Sequence, residues 1–172
     1  LNSDAKIYFQ NIPISTLNRA LYSLRSVPNL KRLNFKLHNK EISEGYPDFS
    51  ELKNTLKPLR SLTSFYFKLK FEHGSFLGTD PPNKAISILE GLPRRNKLRS
   101  MRINIKSSKC GDQMIEAIKN SLQKTPGLHN LQLVLDAMTL PNDLTELLKI
   151  VRSLDQLRTL DIGLKASWSR LH

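Results

Sequence analysis

Apolar residues return along this chain in one figure, L-x-x-L-x-L-x-L. It is plainest at Leu128-His-Asn-Leu131-Gln-Leu133-Val-Leu135, and it recurs at Leu30–Leu37, Leu62–Leu69, Leu98–Ile105 and Leu157–Leu164. Strict alternation places the apolar side chains on one face of a strand and the residues between them on the other. The copies begin 32, 36, 30 and 29 residues apart. A period of roughly 20 to 50 residues is the mark of a stacked repeat architecture.

Between these figures the apolar spacing becomes helical. Leu17, Ala20, Leu21 and Leu24 form a first stripe, with Ser15 or Thr16 as N-cap and Pro28 as its stop. Phe49, Leu52, Leu56 and Leu59 form a second, with Ser50 as cap and Pro58 near its end. Ala85, Ile86, Ile88, Leu89 and Leu92 form a third, stopped by Pro93. Met114, Ile115, Ile118 and Leu122 follow Asp112 and run to Pro126-Gly127. The fifth carries Leu144, Leu147, Leu148, Val151 and Leu154, and opens at Pro141-Asn142-Asp143, where Asp143 and Glu146 have capping-box spacing. Asp4 to Asn11 reads as a degenerate first strand with Ile7 and Phe9 inward. Each unit is thus strand, loop, helix and return. Neither apolar face can be buried within one unit, so units must stack, strands parallel on one side and helices on the other. Helices are wider than strands, so the stack is expected to curve with its strands on the concave side.

This pattern resembles the leucine-rich repeat family, and the unit lengths and helices resemble its ribonuclease-inhibitor-like class. The resemblance implies an α/β solenoid, a curved horseshoe segment with a parallel sheet of about six strands on the concave side and helices on the convex side. It implies one leucine-rich-repeat domain over residues 1–172, with repeats starting near Leu1, Leu30, Leu62, Leu98, Leu128 and Leu157. The family's consensus places Asn or Cys at the ninth position of the figure. Here that position holds His38, Lys70, Lys106, Asp136 and Lys165, and the eighth is apolar. The expectation is a strand prolonged by one inward residue, without an asparagine ladder: a divergent solenoid. Such a fold hosts many binding roles, so function must be argued from the surface.

Composition sharpens the picture in one respect. The 172 residues carry 27 Lys plus Arg against 15 Asp plus Glu, a formal charge of +12. This excess points to an anionic partner. A single cysteine, Cys110, and the lack of any Asn-x-Ser/Thr acceptor point to an intracellular compartment, cytoplasmic or nuclear. There is no apolar run near 18 residues, so no membrane span is expected. The lack of an initiator Met and of a capping element after Leu164 predicts a piece of a longer protein.

Catalytic and cofactor motifs do not emerge. Gly74-Ser-Phe-Leu-Gly78 lacks the Lys-Ser/Thr of a phosphate loop. His38, His73, His129 and His172 have no ligand spacing with one another or with Cys110. Cys110 reads as a dispensable turn residue and Trp168 as a cover for the open end of the core. No enzyme, metal or cofactor is expected. The informative asymmetry lies on the strands. Of the fifteen residues between the apolar positions of the second to fourth repeats, eight are Lys or Arg and none is acidic. Lys31, Arg32, Lys36, Tyr66, Lys68, Lys70, Arg99, Arg102 and Lys106 are therefore the candidate partner-binding residues, with Tyr8 adding contact area. The reading is a non-catalytic protein–protein interaction module or scaffold, a subunit of a larger complex, whose basic concave face takes an acidic protein surface. The alternative is an RNA or other nucleic-acid binding component of a ribonucleoprotein.

Overall fold

The computed structural model describes residues 3–10, 14–39, 50–71, 87–93, 97–109, 112–139 and 144–166. Alternating apolar positions give six strands: β1 (Asp4–Gln10), β2 (Arg32–Asn39), β3 (Ser64–Phe71), β4 (Ser100–Lys109), β5 (Asn130–Thr139) and β6 (Thr159–Ala166). They form one sheet in chain order, every neighbouring pair parallel. Between them lie α1 (Ile14–Ser23), continued by a 3-10 turn at Leu24–Ser26, then α2 (Ser50–Leu56), a 3-10 helix at Ser87–Gly91, α3 (Asp112–Gln123) and α4 (Thr145–Arg152). The helical pieces pack in the same sequence, α1 on α2, α2 on the 3-10 helix, that helix on α3, and α3 on α4. As expected, β2 to β5 run on past the eighth position of the figure. Among the described residues no helix is long and apolar enough to cross a membrane.

One face of the sheet meets the helices. Phe35, Phe67, Ile103 and Leu133 stand in register across β2 to β5, and all are buried. Leu33, Leu131 and Leu133 are at most 2% exposed. Burial of each such leucine stabilises by roughly 1.5–3 kcal/mol. Phe9, Phe35 and Phe67 follow one another with ring centroids 5.8 Å apart at each step. The intervening residues remain partly or fully open to solvent. A parallel sheet covered on both faces has nearly continuous apolar strands. Alternation here reflects a sheet covered on one face only.

The return from helix to strand is also repetitive. Leu24, Val27 and Leu30 are linked by two successive turns, the N–H of each later residue donating to the carbonyl three before it. The same pair of turns joins Leu56, Leu59 and Leu62, then Leu122, Thr125 and Leu128, then Val151, Leu154 and Leu157. In the third unit Leu92 donates to Leu89, but Leu98 lies six residues on, so this return is longer by one turn's worth of chain. All these positions are buried except Val27, which is exposed, and Leu157, which is half-buried.

Several expectations need correction. The third helical stripe is a 3-10 helix where it is described, not an α-helix. Gly91 and Pro93 close it, and both residue types disfavour a continuing α-helix. Gly91 is needed for space: a Cβ there would lie 2.8 Å from the Lys53 Cα and closer still to its carbonyl oxygen. α1 begins at Ile14, so Ser15 and Thr16 lie within the helix and cannot cap it, since a cap requires non-helical backbone. α4 begins at Thr145, with Leu144 at its N-cap and no side chain bonded there. Asp143, the expected cap, lies outside the described residues, as do Ala85, Ile86, Cys110, Gly74–Gly78, His73, Trp168 and His172. Leu148, Leu160 and Leu164 were expected in the core but are exposed, Leu160 by 48% and Leu164 by 42%. The latter two stand on β6, which among the described residues pairs with β5 alone.

Leu131→Asp is expected to leave an unpaired carboxylate in the core and to abolish cooperative thermal unfolding by circular dichroism; a melt like that of the parent would mean that the β5 register is different. Gly91→Ala, by contrast, should fold but lose about 1–3 kcal/mol in urea titration, because the new methyl meets backbone.

Candidate functional site

The solvent-facing side of the sheet is built by the same ladder that builds the core. Parallel partners lie about 4.8 Å apart, so equivalent positions of successive strands become neighbours. Lys36 stands beside Lys68, and Lys70 beside Lys106. His38 precedes Lys70 in that second column, and Asp136 follows Lys106. Tyr8 precedes Lys36 in the first, and Asn104 follows Lys68.

The nine candidate residues divide into two sets. Arg32, Lys36, Tyr66, Lys68, Lys70, Arg102 and Lys106 alternate with buried residues and share the open face. Lys31 and Arg99 lie one residue before the strands, at the sheet's edge. Their carbonyls hold the ladder together: Lys31 accepts from the backbone N–H groups of Thr63 and Ser64, and Arg99 from those of His129 and Asn130. The Arg99 guanidinium is turned to the next return, the one that leads to β5, where Nη1 donates to the Gly127 carbonyl at 2.7 Å. It belongs to the scaffold of the β4–β5 edge.

Acidic side chains stand at the borders of the open face. Asp4 on β1 pairs with Arg32 at 3.7 Å, and Asp136 on β5 pairs with Lys106 at 3.5 Å. Asp161 on β6 accepts from the Gln132 amide. Among the described residues no carboxylate pairs with Lys36 or Lys68. What relieves this crowding of cations is Tyr66. Lys36 Nζ and Arg102 Cζ each lie 5.6 Å from its ring centroid. The negative face of an aromatic ring attracts cations, by about 0.5–1 kcal/mol at exposed sites. Tyr66 is thus a seat for two cations before any partner arrives.

Beside Tyr66 the face sinks into a depression of about 460 Å³ lined by Tyr8, Lys36, Leu37, His38, Lys68 and Lys70. Tyr8 is 60% exposed, and its hydroxyl donates to Gln10 Oε1 at 3.1 Å. His38, which reads from sequence as an ordinary surface histidine, joins the lysines only because the strands pair in register. The signal for it was the column itself, the ninth position of the repeated figure. His129 lies elsewhere, its Nδ1 2.9 Å from the Gly127 carbonyl. Among the described residues no three His, Cys, Asp or Glu side chains gather as a metal would require.

No family model matches the chain, and neither a curated protein nor a solved structure matches it.

Because Arg99 serves the scaffold, Arg99→Ala is expected to lower stability by about 0.5–1.5 kcal/mol through the lost bond to Gly127. In chemical denaturation this loss should be absent from Lys68→Ala, whose side chain makes no such bond.

Proposed function

We propose that this chain is a segment of a divergent leucine-rich-repeat solenoid and acts as a non-catalytic interaction module or scaffold within a larger complex. Its open sheet face would be the concave side and would grip an acidic protein surface. The single observation that carries this reading is the distribution of charge on that face. Cations crowd the middle strands while Asp4, Asp136 and Asp161 stand toward the edges of the sheet. Like charges placed side by side on one sheet face repel. In water a unit pair at 4 Å feels only about 1 kcal/mol, so the fold tolerates the arrangement. An approaching acidic surface relieves the repulsion and is steered toward it. Arg32 and Arg102 add planar, forked donors suited to carboxylates. An intracellular setting fits a chain with one cysteine.

Nucleic-acid binding is the alternative, since phosphates would also answer this charge. The central aromatic side chain weighs against it, although Tyr8 stays open. Single-stranded bases are held by stacking on open rings, and the Tyr66 ring already has Lys36 and Arg102 over it.

The test is binding of a fluorescent twelve-residue polyglutamate peptide, followed by anisotropy. Lys36→Glu with Lys68→Glu should keep the circular dichroism spectrum of the parent and weaken binding at least tenfold. Lys57→Glu with Arg152→Glu, an equal charge change on the helical side, should weaken it less than threefold. Equal losses would mean that net charge alone matters. In a parallel pull-down, capture that disappears on nuclease treatment would replace the reading by the nucleic-acid one.

A further inference from the structure

The last unit leaves apolar side chains in solvent. On β6, Leu160 and Leu164 are 48% and 42% exposed and Ile162 is half-buried, and Leu148 on α4 is exposed as well. Their equivalents on β5, Leu131 and Leu135, are at most 2% exposed. The first unit exposes Tyr22 and Val27 in its helix and return, but the apolar side of its strand is better covered. There Phe9 is buried, and Ala5 and Ile7 are partly buried and packed against the core. The strand with apolar residues to cover is therefore β6. An exposed apolar edge strand is a template for pairing with another chain. We infer that β6 pairs antiparallel with β6 of a second copy, about a two-fold axis at Gly163, to make a closed dimer. This inference concerns the end of the sheet and does not depend on what binds its open face.

Three features favour a second copy in this register. The first is the match of faces. Directly opposite residues of an antiparallel pair point to the same side of the sheet. Two copies so joined keep their apolar sides, and with them their helical layers, on one side. The second is apolar contact. With the axis at Gly163, Ile162 of each copy stands opposite Leu164 of the other, and Leu160 lies diagonal to that Leu164, within reach of a long side chain. The third is charge. Asp161 and Lys165 are exposed on the open face, two residues either side of Gly163. The axis sets Asp161 of each copy opposite Lys165 of the other, so the favourable pair occurs twice. Within its own chain Asp161 accepts from the Gln132 amide and Lys165 stands beside Asp136. A carboxylate can accept several bonds, so the Gln132 contact leaves capacity for the lysine.

Other pairings fit less well. An axis at Ile162 also keeps the apolar sides together, but it sets Asp161 opposite Gly163 and diagonal to the second Asp161. A head-to-tail stack would lay β6 against β1, whose Ala5 and Ile7 already pack on the core, and it would grow without closing. The antiparallel pair closes at two, the commonest symmetry among oligomers. Gly163 agrees with it. Glycine inside a strand often marks the close approach of another backbone. In its own chain a Cβ at this position would meet, as its nearest described atoms, the Val134 side chain at an ordinary 3.6 Å.

The experiment is sedimentation equilibrium of the purified chain from low to high micromolar concentration. The mass should rise from 19.7 kDa toward twice that value and stop there. Asp161→Lys and Lys165→Asp, each alone, set like charges opposite one another. Each should weaken self-association at least tenfold while keeping the circular dichroism spectrum of the parent. Mixed in equal amounts, the two variants should dimerise with each other, because every facing pair then has opposite charges. Leu160→Ser with Leu164→Ser should be monomeric and folded, since both side chains are open to solvent in the single chain. Hydrogen exchange of the parent needs no variant and so stands even if a substitution disturbs folding. Amides of β6 should exchange more slowly as concentration rises, and those of β1 should not change. A monomer at every concentration overturns the inference, and so does growth beyond two copies, the outcome of head-to-tail stacking. A mixture no more associated than its two components overturns the register at Gly163. Slowing at β1 in place of β6 overturns the choice of strand.

Discussion

The structure depends on parallel pairing of six strands in one unbroken register. Each backbone ladder forces equivalent positions of successive units to lie side by side, about 4.8 Å apart. On one face this stacks Ile7, Phe35, Phe67, Ile103 and Leu133 into a continuous apolar row under the helices. On the other it stacks Lys36 on Lys68 and Lys70 on Lys106. The stability of the core and the charge of the surface therefore have a common geometric cause. A one-residue slip in any strand would exchange the two faces, so selection for the core also holds the cations in place.

That coupling explains how a surface with such crowded charge is tolerated. The repulsive columns cost little beside the burial of the apolar rows. They are moderated locally by the Tyr66 ring and bounded by Asp4, Asp136 and Asp161. The result is a field centred on β2 and β3 instead of one spread over the chain.

The helical layer is less regular than the sheet. Its elements range from the twelve residues of α3 to a short 3-10 helix at Ser87–Gly91. Recurrence survives instead in the returns, where paired turns lead from the helical piece to the next strand in four of the five. The length of the intervening helix is then free to vary, provided a few residues such as Leu56, Leu89 and Leu122 reach the core. Gly91 marks a place where two neighbouring pieces of that layer meet backbone against backbone.

The sequence by itself determined the strands, their order of burial and the sign of the exposed face. Strand alternation is a local property with period two, and five copies of one figure made the equivalence of positions visible. It also identified the columns containing Lys36, Lys68, Lys70 and Lys106. Only the tertiary structure decided what each cation meets. Lys31 and Arg99 have the same charge as Lys68 in the sequence, but their place before the strands puts them at the sheet's edge, and Arg99 finds the Gly127 carbonyl 28 residues away. His38 and Tyr8 became part of a depression because β1, β2 and β3 pair in register. Leu160 and Leu164 carry the same figure as Leu131 and Leu135, yet they are exposed on β6, at the end of the strand order, while the others are buried on β5 inside it. Pattern assigns a side chain to a face. Whether that face is covered, and what the side chain meets there, depends on residues far away in the chain, and three-dimensional packing alone brings those together.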